Sequence, residues 1–285
     1  MRIIRTVAEM QQYSEEHRKA GRRVAVIPTM GYLHEGHASL IQQARKNADI
    51  AVTTLFVNKL QFGANEDFSR YPRDFVRDCT IAEEAGSDAL FAPENGEMYT
   101  ETFSTVITVR GISDKFEGAF RRGHFDGVAT IVAKLFGAVR PHEAYFGQKD
   151  YQQTLVIRRM TADLNLGVNI IVCPTLREAD GLAMSSRNVY LAPEERGKAS
   201  VLHRALQTAS LLVQSGEIRR QEINFSMLEV LRTVGELQID YACAAQADTL
   251  EEPEVFEETE PIVFLIAARL GAARLIDNEV WQAVK

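Results

Sequence analysis

At 285 residues the chain is longer than most single-core domains, and at roughly 150 residues per domain it points to two. With 46% hydrophobic and 25% charged residues it has material for a sizeable core, which excludes wholesale disorder. A formal net charge of -7 excludes a broad nucleic-acid footprint, although a few local cations can still dominate one cleft for a small anion.

The opening stretch MRIIRTVAEMQQYSEEHRKAGRR is too polar for a signal core, and no run of about 18 apolar residues occurs, so neither export nor membrane spanning is expected. Cys79, Cys173 and Cys243 are widely spaced and odd in number, which points away from a disulfide framework or a zinc site and toward a reducing cytoplasm. The run VAVI (24–27) reads as a buried strand, followed by a helix from His37 to Ala48 with Leu40, Ile41, Ala44 and Ala48 on one face. IAVTTLFV (50–57) is a β-branched strand, Pro72 to Ala85 a helix ending at Gly86, DALFA (88–92) a short strand and TVITV (105–109) another. From Asp126 to Val139 the apolar residues recur at three and four, giving an amphipathic helix that Pro141 stops. EAYFG (143–147) is a strand, Tyr151 to Ala162 a helix and VNIIVCP (168–174) a strand. Strand alternating with helix implies βαβ crossovers, hence an α/β domain with a doubly wound, mostly parallel sheet covered on both faces.

After Pro174 the pattern changes, which places a domain boundary there: residues 1–174 form the larger domain and 175–285 a smaller α+β one. PTLREADGLAMSSRNVYLAPEER is polar and irregular. Helices are expected from Pro193 to Ser215 and from Gln221 to Gly235, then strands at 239–244, 262–269 and 273–278.

The stretch PTMGYLHEGH places His34, Gly36 and His37 where a buried strand turns into a helix. In open α/β sheets ligands bind beyond the carboxyl ends of strands, and a helix start there offers N–H groups and a positive dipole end to an anion. Histidines can add donors to phosphate oxygens, so a phosphate grip is one reading; a capped helix start with surface histidines is the other. GQKDYQQ follows a strand on the same edge and supplies an ammonium, a carboxylate and amides: Lys149 suits phosphate oxygens and Asp150 suits ribose hydroxyls, unless Asp150 only caps the next helix. MSSRN gathers Ser185, Ser186 and Arg187, either an anion-binding loop or an ST-turn beside a surface arginine.

The segments PTMGYLHEGH, FVNKLQF, RRGHFDGV, YFGQKDYQQ and MSSRNVYL, in this order and spacing, resemble the pantoate-beta-alanine ligase family of the HxGH nucleotidyltransferase superfamily over almost the whole chain. The resemblance implies a Rossmann-like sheet, with the C-terminal domain as a lid over the site, and a cytoplasmic homodimer acting on ATP, pantoate and β-alanine without nucleic acid or membrane. It implies Met30, His34, Gly36, His37, Asn58, Gly147, Lys149, Asp150, Leu176, Met184, Ser185, Ser186 and Arg187 at ATP, with Gln61, Gln153 and Arg121 at the other substrates. His34, His37, Lys149 and Arg187 would stabilise the transferring phosphate, and His37 is also a candidate proton donor. Magnesium would arrive with ATP without dedicated ligands, Asp78 being the one acid considered. Two positions depart from the family pattern. Lys59 stands where proline is usual, which is expected either to leave the Asn58 backbone freer or to add a cation near the phosphates, so that Lys59→Pro changes nucleotide affinity. Arg122 also replaces a proline and reads as a surface residue.

Alternatives remain at this point. Another HxGH adenylyltransferase would explain the histidines but not Gln61 with Gln153. A class I aminoacyl-tRNA synthetase would be larger and more basic, and a noncatalytic ATP-sensing module would use the same phosphate groups.

Overall fold

The computed structural model describes residues 1–64 and 66–282, in two compact units. The first comprises Met1–Asp114, Arg121–Gln148 and Gln152–Pro174. The second takes Thr175–Lys285 together with two short insertions, Lys115–Phe120 and Lys149–Tyr151.

In chain order the first part of the molecule runs β1 (Arg2–Ile4), α1 (Val7–Lys19), β2 (Val24–Thr29), α2 (Glu35–Asn47), β3 (Ile50–Leu55), α3 (Phe75–Glu84), β4 (Ala89–Phe91) and α4 (Asn95–Met98). It continues through α5 (Phe116–Phe120), α6 (His124–Val139), β5 (Glu143–Gly147), α7 (Tyr151–Asp163) and β6 (Asn169–Cys173). The six strands form one parallel sheet in the order β1-β4-β3-β2-β5-β6. Alternation along β2 divides the core: Val24 and Val26 face the layer containing α1 and α6, while Ala25 and Ile27 face Leu40 and Ile41 of α2. Pro28 is tolerated inside this central strand because the β2–β5 ladder ends at Val26, so its missing N–H forfeits no partner there. The chain leaves β2 toward β3 on one side and returns to β5 on the other, which puts the switch point at the carboxyl end of β2, the turn into α2.

Two expectations are corrected, and one segment carries elements that the sequence reading did not assign. TVITV is extended but joins no sheet: its alternation is satisfied by packing Ile107 and Val109 on the first core, and the Ile107 N–H donates to Thr130 Oγ1 of α6 at 2.9 Å. The helix expected from Pro193 to Ser215 is two, α8 (Pro193–Lys198) and α9 (Val201–Gln214). The amino-terminal segment, read only for targeting, supplies β1 and α1, the helix capped by Thr6 accepting from Glu9 N–H at 3.2 Å.

The second unit adds α10 (Arg220–Leu231) and strands β7 (Gln238–Gln246), β8 (Ile262–Leu270) and β9 (Ala273–Trp281), an antiparallel sheet in the order β7-β8-β9. Phe264, Ile266 and Ala268, alternate residues of β8, pack with Leu202, Leu206 and Ile223 of α9 and α10 into its own core. The arrangement is α+β, distinct from the parallel layer of the first unit. Among the described residues no helix is long and apolar enough to cross a membrane.

Candidate active site

The turn after β2 is held by one buried acid. Asp78 of α3 is 1% exposed and accepts from Tyr32 N–H at 2.9 Å through Oδ2 and from Leu33 N–H at 2.6 Å through Oδ1. Burial pushes its carboxyl above the ordinary aspartate range, against the downward pull of the two N–H donors. Gly31 has φ +89°, and a Cβ there would stand 3.1 Å from Asp78 Oδ2, so glycine both bends the turn and admits the acid. Asp78 therefore does not fit a magnesium ligand: it is buried, and both oxygens serve the turn. Among the described residues no group of three or more His, Cys, Asp or Glu is arranged to hold a metal.

His34 is the N-cap of α2, and the two imidazoles cap reciprocally. Gly36 N–H donates to His34 Nδ1 at 3.1 Å, His34 N–H donates to His37 Nδ1 at 3.3 Å, and the ring centroids lie 4.1 Å apart. An Nδ1 that accepts carries no proton, so each neutral ring bears its hydrogen on Nε2. The sequence reading placed backbone N–H groups at this helix start at an anion's disposal. Of these, the Gly31, Tyr32, Leu33, His34, Gly36 and His37 N–H groups donate within the chain.

A second cluster meets this turn through Met30. Asn58 is fully buried; its amide nitrogen donates to Gly127 O at 3.0 Å and to Gln61 Oε1 at 3.1 Å, and its oxygen accepts from Tyr99 OH at 2.7 Å. A carbonyl only accepts, so Gly127 fixes the orientation of the Asn58 amide, and Asn58 fixes that of Gln61. Burial pushes the Tyr99 phenol up, keeping it a donor. Gln61 consequently turns its NH2 toward Met30 Sδ, 3.0 Å away. Asn58 acts here as the brace of Gln61, its amide committed within the chain.

Asn58 is already extended, at φ -79° and ψ 106°, the region a following proline would impose. The expected freedom at Lys59 is thus removed by the side-chain amide, and the departure from proline leaves this backbone set.

Arg121 is tied into the same cluster. Its guanidinium makes a bidentate pair with Glu66, Nε to Oε1 at 2.8 Å and Nη2 to Oε2 at 2.6 Å, and donates to His124 Nε2 at 3.0 Å. His124 Nδ1–H in turn donates to the Gln61 carbonyl at 2.8 Å. Burial acts to raise the Glu66 pKa, but Arg121 outweighs it and holds the carboxyl below the ordinary range. Arg121 meets a carboxylate of its own chain, and through His124 it steadies the Gln61 backbone.

Gly127 completes this cluster. A Cβ there would fall 2.4 Å from Leu60 O and 2.5 Å from Gln61 N, so glycine lets α6 lie against the 59–61 backbone. Gly147 ends β5, on the same carboxyl edge of the sheet as the histidine turn, and Gln153 lies in the first turn of α7, half-buried.

The remaining candidates belong to the second unit. Lys149, its side chain 20% exposed, stands 3.4 Å from Asp150 Oδ1. The stretch read as irregular is an ordered hairpin: Met184 N–H donates to Leu176 O at 3.0 Å, Arg177 bridges Ala183, and Gly181 turns it with φ +94°. Ser185 caps the following 3-10 turn (Ser186–Tyr190) by accepting from Arg187 N–H at 3.3 Å, and Ser186 is buried. Glu66, Tyr99 and Gly127 escaped the sequence reading, as did the role of Asp78 in holding the turn. A glycine inside an otherwise apolar helical pattern was the one usable signal, at Gly127.

A doubly wound parallel sheet whose β2–α2 turn carries two self-capped imidazoles at the switch point matches an α/β enzyme of the HxGH nucleotidyltransferase type. The sequence profile of the pantoate-beta-alanine ligase family matches residues 2–280. The chain belongs to that family. It is 48% identical over 280 residues to a pantothenate synthetase of Acetivibrio thermocellus, covering 98% of this chain and 99% of the relative. The crystal structure of pantothenate synthetase from Thermus thermophilus superposes with a TM-score of 0.91 at 46% identity, covering 98% of this chain and 99% of that one. A pantoate-beta-alanine ligase from Francisella tularensis, solved in complex with beta-gamma ATP and beta-alanine, gives a TM-score of 0.81 at 28% identity, covering 98% and 97% of the two chains.

Proposed function

We propose that the chain joins pantoate to β-alanine in two ATP-dependent steps. The pantoate carboxylate attacks the α-phosphorus of ATP, the bond to the bridging oxygen breaks and pyrophosphate leaves, giving pantoyl adenylate. The β-alanine amine then attacks the acyl carbon, a proton is lost from nitrogen and AMP departs. Neither step needs a protein nucleophile, so the protein positions, stabilises charge and excludes water.

The observation that carries this reading is the pair of imidazoles locked as Nε2–H donors at the switch point, beside a turn whose Met30 meets the oriented Gln61 amide. The imidazoles suit the oxygens of the transferring phosphate. The Gln61 NH2 suits a hydroxyl or carboxylate oxygen of pantoate, and Gln153 shares that role. We assign Gly147 and Asp150 to adenosine, Lys149 to the phosphates, Ser185, Ser186 and Arg187 to the triphosphate, and Leu176 and Met184 to the nucleotide's apolar surface. Arg121 and Asn58 hold Gln61 in place. Magnesium, entering on ATP with several waters, would neutralise phosphate charge. We further take the working form to be a cytoplasmic homodimer, which sedimentation at the mass of two chains would support and at one chain would refute.

The decisive experiment incubates the protein with ATP, magnesium and pantoate, with and without β-alanine, and identifies every product. Pantoate-dependent pyrophosphate and β-alanine-dependent AMP are expected. Absence of the first would leave an ATP-binding module; absence of the second would leave an adenylyltransferase.

A further inference from the structure

Two adjacent residues of β9, Asp277 and Asn278, are each 3% exposed. Side chains alternate across a strand, so successive positions should bury one and expose the other. Two consecutive buried polar groups carry a desolvation cost that apolar residues would avoid, unless their hydrogen bonds hold something in place.

They hold the two segments of the second unit to which nucleotide contacts are assigned above. Asn278 Nδ2 donates to the Lys149 carbonyl at 2.8 Å. Asp277 makes a bidentate pair with Arg177, Oδ2 to Nη1 at 2.6 Å and Oδ1 to Nη2 at 3.0 Å. The same Asp277 Oδ1 accepts from Asn278 N–H at 2.8 Å, which ties the two side chains into one node. Arg177 Nη1 also donates to Gly181 O at 3.0 Å across the hairpin, and its strand neighbour Leu176 is paired to Met184. The insertion carrying Lys149 is pinned at its other end by Tyr151 OH donating to Ala247 O at 2.9 Å.

We infer that Asn278 and Asp277 are positioning residues which set the Lys149 ammonium and the Leu176–Arg187 hairpin in register for one triphosphate. The inference rests on the proposed ATP role of Lys149 and is tested separately from it. Asn278→Leu keeps the size and removes the donor; Asn278→Asp keeps the shape and turns an acceptor toward the Lys149 carbonyl. In the full-length enzyme, pantoate-dependent ATP–pyrophosphate exchange should show KM for ATP raised roughly tenfold in either variant, with KM for pantoate changed less than about twofold. A residue acting through Lys149 loses its effect when that ammonium is gone, so in a Lys149→Ala background Asn278→Leu should add less than about twofold. Unchanged ATP titration in a folded Asn278 variant, or full multiplication of the two effects, overturns the inference. If Lys149→Ala itself leaves ATP binding intact, the reading of Lys149 falls and takes the inference with it; a loss for Lys149→Ala with none for Asn278 sinks the inference alone.

Discussion

Gly127→Ala tests whether the close approach of α6 to residues 59–61 exists for the sake of Gln61. The added methyl would sit 2.4 Å from Leu60 O and 2.5 Å from both Leu60 C and Gln61 N, whereas ordinary contact begins at 3.4 Å, so helix or loop must yield by about 1 Å. Overpacking of this kind costs about 1–3 kcal/mol, and the better helix propensity of alanine returns about 1 kcal/mol. The net loss of about 0–2 kcal/mol should lower the melting temperature by at most about 8 °C. The functional loss should be larger. The Gly127 carbonyl orients Asn58, and Asn58 orients Gln61. Displacing a positioned group by about 1 Å can lower turnover about 100-fold. Pantoate-dependent pyrophosphate release is therefore expected to fall about 100-fold in kcat/KM for pantoate, with ATP affinity little altered. A folded variant with normal kcat/KM for pantoate, or one whose defect lies in ATP binding, would refute the reasoning.

Asp78→Asn keeps the shape but sets an NH2 against a backbone N–H of the turn, so we expect a stability loss of about 1–3 kcal/mol and weaker ATP binding; calorimetric ATP titration at the wild-type value would exclude the brace. His37→Ala removes both the acceptor of His34 N–H and an Nε2–H donor, so pyrophosphate release should fall at least as far as ATP affinity, and near-normal release would contradict the role given to it. Lys59→Pro should leave ATP affinity unchanged and raise stability by about 0.4–1 kcal/mol, because Asn58 already holds an extended backbone; a shifted ATP titration would restore the opposite expectation. Glu66 is held below the ordinary 4.5 in the fold, so the stability of its pair with Arg121 is present above that value and lost as pH falls through the folded pKa. Melting temperature should thus drop more steeply below about pH 5 in the wild type than in Glu66→Gln; equal slopes would remove that contribution.

The elements legible in the sequence are those whose burial pattern is set within a few residues. The β2 run, the β5 segment and the three-and-four spacing of α6 all announce themselves, because a strand buried on both faces and a helix buried on one leave a local signature. TVITV misleads because alternation reports only that one face is covered, and here a helix covers it. The histidine turn was legible as a site, since residue types and their place after a strand suffice for that. Its donor pattern was not: the fate of the Tyr32 and Leu33 N–H groups depends on Asp78, more than forty positions away.

The same reasoning explains why the MSSRN stretch reads as irregular and yet is ordered. Its hairpin has no apolar period to display, because it is stabilised by polar contacts between distant positions: Arg177 with Asp277 and Glu178 with Arg196. Apolar periodicity therefore located the scaffold of this enzyme, while the parts assigned to ATP are fixed by hydrogen bonds whose partners lie far apart in sequence.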